Sequence, residues 1–125
     1  VLGFLGRFGR ARELRQLDDA LRAVDVHPAM VPDAVELTAV RLLQAERQTP
    51  GPADYARTAE LMAYCMIGAS NFTAANDEAM AEAVAARIVA AIADPDGLDA
   101  RLVLLLLHAG VVHPSVVSRF GLEAG

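Results

Sequence analysis

His27, His108, His113 and Cys65, with the carboxylates Asp94, Asp96 and Asp99, are the side chains best suited to hold a metal in this chain. A zinc or iron site built on one helix needs two imidazoles a turn apart, so that both face the same way. His108 and His113 stand five positions apart, straddle Gly110, and have no Glu between them to act as a base. That spacing does not make a helical metal site. The stretch Asp94-Pro95-Asp96-Gly97-Leu98-Asp99 has the carboxylate density of a calcium loop, but its glycine comes too early. Leu105 stands where the bidentate Glu belongs. It reads instead as a turn in which Asp96 or Asp99 caps the next helix. No metal and no cofactor are expected.

Nucleophilic catalysis has no better foothold. Ser70, Ser115 and Ser118 lie outside any Gly-x-Ser-x-Gly elbow. Gly3, Gly6 and Gly9 have neither the spacing nor the preceding strand of a nucleotide-binding loop. The carboxylate pairs Asp18/Asp19 and Asp77/Glu78 fall on helix faces and helix starts, where charge is ordinarily solvated. Cys65 lies in the apolar stretch Leu61-Met62-Ala63-Tyr64-Cys65-Met66 and reads as a small core residue rather than a reactive thiol. Asn71-Phe72-Thr73 matches a glycosylation pattern but reads as loop and cap. No residue set for an enzyme emerges.

The elements that must position these groups are helical. At 125 residues the chain fits one domain with its own core. It is 54 % hydrophobic but only 5 % aromatic, without Trp, so Ala, Leu and Val carry most of the apolar mass. Ala and Leu are the strongest helix formers. All eleven basic residues are Arg, which reads as codon bias in a GC-rich genome. The net charge of −5 disfavours nucleic acid and anionic lipid as general partners. A single cysteine excludes an internal disulfide. With no basic leader at the start, a cytoplasmic location is expected.

Periodicity and punctuation give about six helices. The first runs from about Ala11 to Val24 on the stripe Leu14, Leu17, Leu21 and Val24, with Arg12, Arg15, Asp18, Asp19 and Arg22 mostly on the opposite side. Pro28 and Pro32 break the chain, and a second helix starts at Pro32 or Asp33 and ends near Arg47. After the loop Thr49-Pro50-Gly51-Pro52 comes a helix to Ile67, interrupted by Gly68-Ala69-Ser70-Asn71. The next, from Asp77 to Ala93, is capped by Asn76 or Thr73 and carries Met80, Val84, Ile88 and Ile92 at four-residue steps. A helix from Leu98 to His108 contains the six-residue apolar run Leu102 to Leu107, too short to cross a bilayer. It must be buried on every side or bury one side against a partner, and it reads as the central helix of the domain. A last short helix begins at Pro114. The expected fold is an all-α, compact single-domain bundle around a buried central helix near residues 98–108.

Residues 1–12 stand apart as an arm, flexible or docked, ahead of a helical domain over 13–125. Three glycines there are interleaved with Leu2, Phe4, Leu5 and Phe8, followed by Arg7, Arg10 and Arg12. Phe4 and Phe8 suit a partner groove, and the arm suits weak contact with a membrane surface. Val116, Val117 and Phe120 near the other end are the matching candidates for protein contact. Two corners share Val-His-Pro, at Val26-His27-Pro28 and Val112-His113-Pro114. Helix corners select His and Pro at such places, so local chemistry explains the echo better than duplication.

One stretch suggests another function. Ala109-Gly110-Val111-Val112-His113-Pro114-Ser115-Val116-Val117-Ser118-Arg119 resembles the turn and second helix of helix-turn-helix regulators, in which glycine turns the chain and two valines seal the corner. The resemblance covers eleven of 125 residues. It implies DNA contact through His113, Ser115, Ser118 and Arg119. Leu106 stands where that pattern has a small residue, and the segment has few cations to meet phosphates. The leading expectation is a small non-catalytic binding or regulatory module that docks a protein partner or pairs with itself as a homodimer. DNA binding at the Gly110 corner, and a small-molecule or metal-binding bundle using His27, His108 and His113, are the alternatives.

Overall fold

The computed structural model describes the backbone of residues 2–123 and the side chains of residues 12–123. Every regular element among them is helical. Helix α1 (Leu2–Ala23) starts earlier than the glycine-rich opening suggests, and the side chains of Phe4 and Phe8 lie outside the described residues. Its end is a local stop signal. Asp25 takes a left-handed conformation (φ 68°), and the Val26 N–H donates to the Leu21 carbonyl at 2.9 Å. Asp tolerates that region better than most residues, and the buried pair Leu21 and Val26 seals the turn.

A single 3₁₀ turn at Pro28–Met30 leads to α2 (Asp33–Glu46), which starts after Pro32 with Asp33 and Glu36 in its first turn. Helix α3 (Pro52–Ile67) opens on proline, and Asp54 reaches back to accept from the Gly51 N–H at 2.8 Å. The interruption expected at Gly68 is a turn into a further short helix, α4 (Ala69–Ala75). Asp77, rather than Asn76 or Thr73, caps α5 (Glu78–Ala93) by accepting from the Met80 N–H at 2.7 Å. Helix α6 (Leu98–Ala109) is preceded by Gly97 with no side-chain cap, because Asp99 is engaged elsewhere. Gly110 ends it in the left-handed region (φ 72°), and α7 (Pro114–Phe120) follows.

The bundle is as expected, with α3 and α6 together at its centre. Helix α3 packs against α1, α4, α5 and α6, and its stretch from Leu61 to Cys65 is buried without a break. Helix α6 packs on α2, α3 and α5 and buries Leu102, Val103 and Leu106, while Leu104 is 54 % exposed. An apolar run points in every direction around a helix, and only the directions that meet neighbours are sealed. Of the two arrangements open to the Leu102–Leu107 run, burial on one side is the one found. No helix among the described residues is long and apolar enough to cross a membrane.

Candidate docking surface on α5 and α6

The potential metal ligands are spread over the bundle, and no three His, Cys, Asp or Glu side chains come together as a metal site among the described residues. His27 and His113 each precede a proline and use Nδ1 as a helix cap. Nδ1 of His27 accepts from the Ala29 N–H at 3.0 Å, and that of His113 from the Ser115 N–H at 3.1 Å. The Val-His-Pro echo is thus one capping device used twice. His108 is exposed in the last turn of α6. Cys65 is fully buried, and burial pushes its thiol up to about 12, with Arg87 opposing and Asp99 adding to the shift. At neutral pH it is a thiol, not a nucleophile.

The α6–α7 corner turns at Gly110 as its pattern implies, but its polar side chains serve the fold. The His113 N–H donates to the Cys65 carbonyl at 2.7 Å, and Nδ1 of His113 lies 2.7 Å from the Ser115 hydroxyl. A Cβ on Gly68, which has φ +88°, would sit 3.1–3.2 Å from Ser115 Oγ and the His113 ring, so α7 closes tightly on the end of α3. Arg119 donates to the Tyr64 hydroxyl at 3.0 Å and lies 5.0 Å from the centre of the Phe120 ring. Ser118 is exposed. Of the other candidate contact residues, Val116 is buried and Val117 half-buried, and Phe120 packs edge-on against Tyr64.

Where α3, α5 and α6 meet, Arg87 makes a two-pronged contact with Asp99 at 2.9 and 3.0 Å and donates a third bond to the Arg57 carbonyl at 2.9 Å. This fork ties three helices together. It borders a cavity of about 300 Å³ that Arg57, Thr58 and Asp94 also line. Gly97 has to be glycine-sized here, since a Cβ would approach Asp94 Oδ2 to 2.7 Å.

On the outer side of the same helices the surface is apolar. Val89 is 59 % exposed, Ile92 56 % and Leu104 54 %. A groove of about 210 Å³ runs between α5 and α6, lined by Ile88, Ile92, Pro95, Val103, Leu104 and Leu107, with Leu122 at its edge. Ala86 and Ala93, on the Val89 side of α5, are exposed as well. Between Ala83 and Ala93 the only charged residue is Arg87, and it is turned onto Asp99. A solvent-facing helix usually carries charge along its outer side, and on α5 the exposed carboxylates Glu78 and Glu82 are confined to the first part of the helix. The four-residue steps put Ile92 in one row with Met80, Val84 and Ile88, of which Val84 and Ile88 are buried. The charge-poor stretch from Ala83 to Ala93 was the signal that could have marked the outer face instead.

The chain has no significant match to any known family model, curated protein or solved structure.

Proposed function

We propose that this chain is a non-catalytic helical binding module that pairs with a second copy of itself through the outer face of α5 and α6. The observation that carries the reading is an apolar groove lined by Ile92 and Leu104, each more than half exposed, with exposed Val89 one turn before Ile92 on α5. Isolated exposed hydrophobics are ordinary, whereas a contiguous apolar face marks an interaction site. A second copy suits it on electrostatic grounds. In a two-fold pair the same patch meets itself, so any charge in it would oppose its own like. A chain of net charge −5 needs such an interface free of charge, and no charged side chain lines this groove. A cytoplasmic setting belongs to the same proposal.

Sedimentation equilibrium across micromolar concentrations tests it. The wild-type chain is expected to dimerise with a dissociation constant on the order of micromolar, about −8 kcal/mol. Val89→Glu and Leu104→Glu are expected to be monomers whose unfolding free energy stays within about 0.5 kcal/mol of wild type. A wild-type monomer at every concentration overturns the proposal. Dimers that persist in both variants move the interface elsewhere and overturn the assigned face. A monomer that binds an apolar helix of another protein in this groove would make the module a hetero-partner domain.

A further inference from the structure

Where α1 packs on α2, the side chains of Asp18 and Glu36 lie within hydrogen-bonding reach of each other. Asp18 comes from α1, and Glu36 comes from the first turn of α2 and is only 6 % exposed. Oδ1 of Asp18 and Oε1 of Glu36 are both shut off from solvent, and neither has a hydrogen-bond donor. Two ionised carboxylates here would leave both oxygens bare and repelling each other, an arrangement that buried acceptors rarely tolerate. One proton removes both faults, because a protonated Glu36 donates its O–H to the Asp18 carboxylate.

We propose that Asp18 and Glu36 share one proton across the α1–α2 seam, and that loss of this proton to solvent at alkaline pH is a built-in means of loosening α1 from α2. The surroundings favour the protonated pair. Burial, the hydrogen bond to Asp18 and the charges of Asp18 and Asp33 together push Glu36 up to about 8. On α1, Asp19 is paired with Arg22 at the surface, and Arg15 stands one turn before Asp18. Helix α6 also packs on α2; its Asp99 is held by Arg87, and its Arg101 and His108 are exposed. The folded chain therefore holds a proton that the unfolded chain gives up near 4.5, the ordinary value of the group. Stability is full below that value and is lost as pH rises through the folded value of about 8.

Thermal unfolding of the full chain between about pH 5 and about pH 9 reads this out. The wild-type midpoint is expected to fall by several degrees, about 5 °C or more. In Glu36→Gln the amide N–H donates to Asp18 at every pH, so the curve should be flatter and cross above wild type at the alkaline end. Parallel pH curves for the two proteins overturn the proposal. Should that variant not fold, the wild-type chain answers through the NMR titration of the Glu36 carboxyl carbon. A midpoint near 8 supports the shared proton, and one in the ordinary carboxylate range overturns it.

Discussion

The α1–α2 seam and the α5–α6 face depart from the usual distribution of side chains in opposite directions. The first buries Glu36 and one oxygen of half-buried Asp18, and Oε1 of the one and Oδ1 of the other lack donors. The second exposes Ile92 and Leu104 along a groove, with Val89 exposed one turn away on α5. Buried polar groups and exposed apolar clusters are the informative exceptions in a folded chain, because each lowers stability unless something else satisfies it. The two need different completions. In the readings proposed above, a proton closes the seam and a second copy covers the face. One region thus answers to pH and the other to concentration, and variants can separate them.

The largest expected contrast lies within α6 and tests whether the α5–α6 face is free in the isolated chain. Leu102 and Leu104 are the same residue two positions apart, the first fully buried and the second about half exposed. Leu102→Ala should cost about 2–5 kcal/mol through lost transfer energy and a cavity. Leu104→Ala should change the unfolding free energy of the monomer by under about 0.5 kcal/mol. Denaturant titration at dilute concentration measures both. Equal losses would mean that Leu104 belongs to the core and that the exposed face does not exist.

That contrast also marks the limit of what the sequence discloses. Proline and glycine act through backbone geometry alone, so the starts of α2, α3 and α7 and the stop at Gly110 are legible at Pro32, Pro52, Pro114 and Gly110. Which side of an apolar helix meets a neighbour is set by contacts far along the chain. The run from Leu102 to Leu107 looks the same on every side until α2, α3 and α5 are in place. The same gap hid Asp18, which follows Leu17 on α1 and reads as part of a solvated face until α2 closes over its Oδ1. Asp99 could be read as a cap, and only the approach of Arg87 from α5 makes it an ion-pair partner.

A middle-sized effect compares the ion pairs of the two regions. Arg87 and Asp99 join α5 to α6 with side chains only 15 % and 25 % exposed. Arg22 and Asp19 on α1 lie 3.8 Å apart with 57 % and 78 % exposed. Arg87→Ala strands the Asp99 carboxylate and the Arg57 carbonyl, and should cost about 1.5–3 kcal/mol, the range of hydrogen bonds to charged groups. Arg22→Ala should cost under about 1 kcal/mol and less in high salt, since exposed pairs are weak and screened. If the two losses are equal, the fork is not what holds α5 to α6, and the apolar face would owe its shape to α3 packing alone.

The smallest contrast concerns the two histidine corners, one leading into α2 and the other following α6. Both rings cap through Nδ1, so replacing either by Ala should cost about 1 kcal/mol, as for other helix caps. The corners differ in what surrounds the ring. His27 is exposed, while His113 is half-buried, meets Ser115 Oγ at 2.7 Å and presses on the place a Cβ of Gly68 would take. His113→Ala should therefore cost more than His27→Ala by a few tenths of a kcal/mol to about 1 kcal/mol. Asn at either place keeps a cap and should restore most of the His27 loss but less of the His113 loss, because Asn cannot fill the contact with α3 and α4. Chemical denaturation of the four variants gives the comparison. Complete rescue at both corners would reduce the α6–α7 turn to a cap, and the closure of α7 on Gly68 would then rest on Val116 and Phe120.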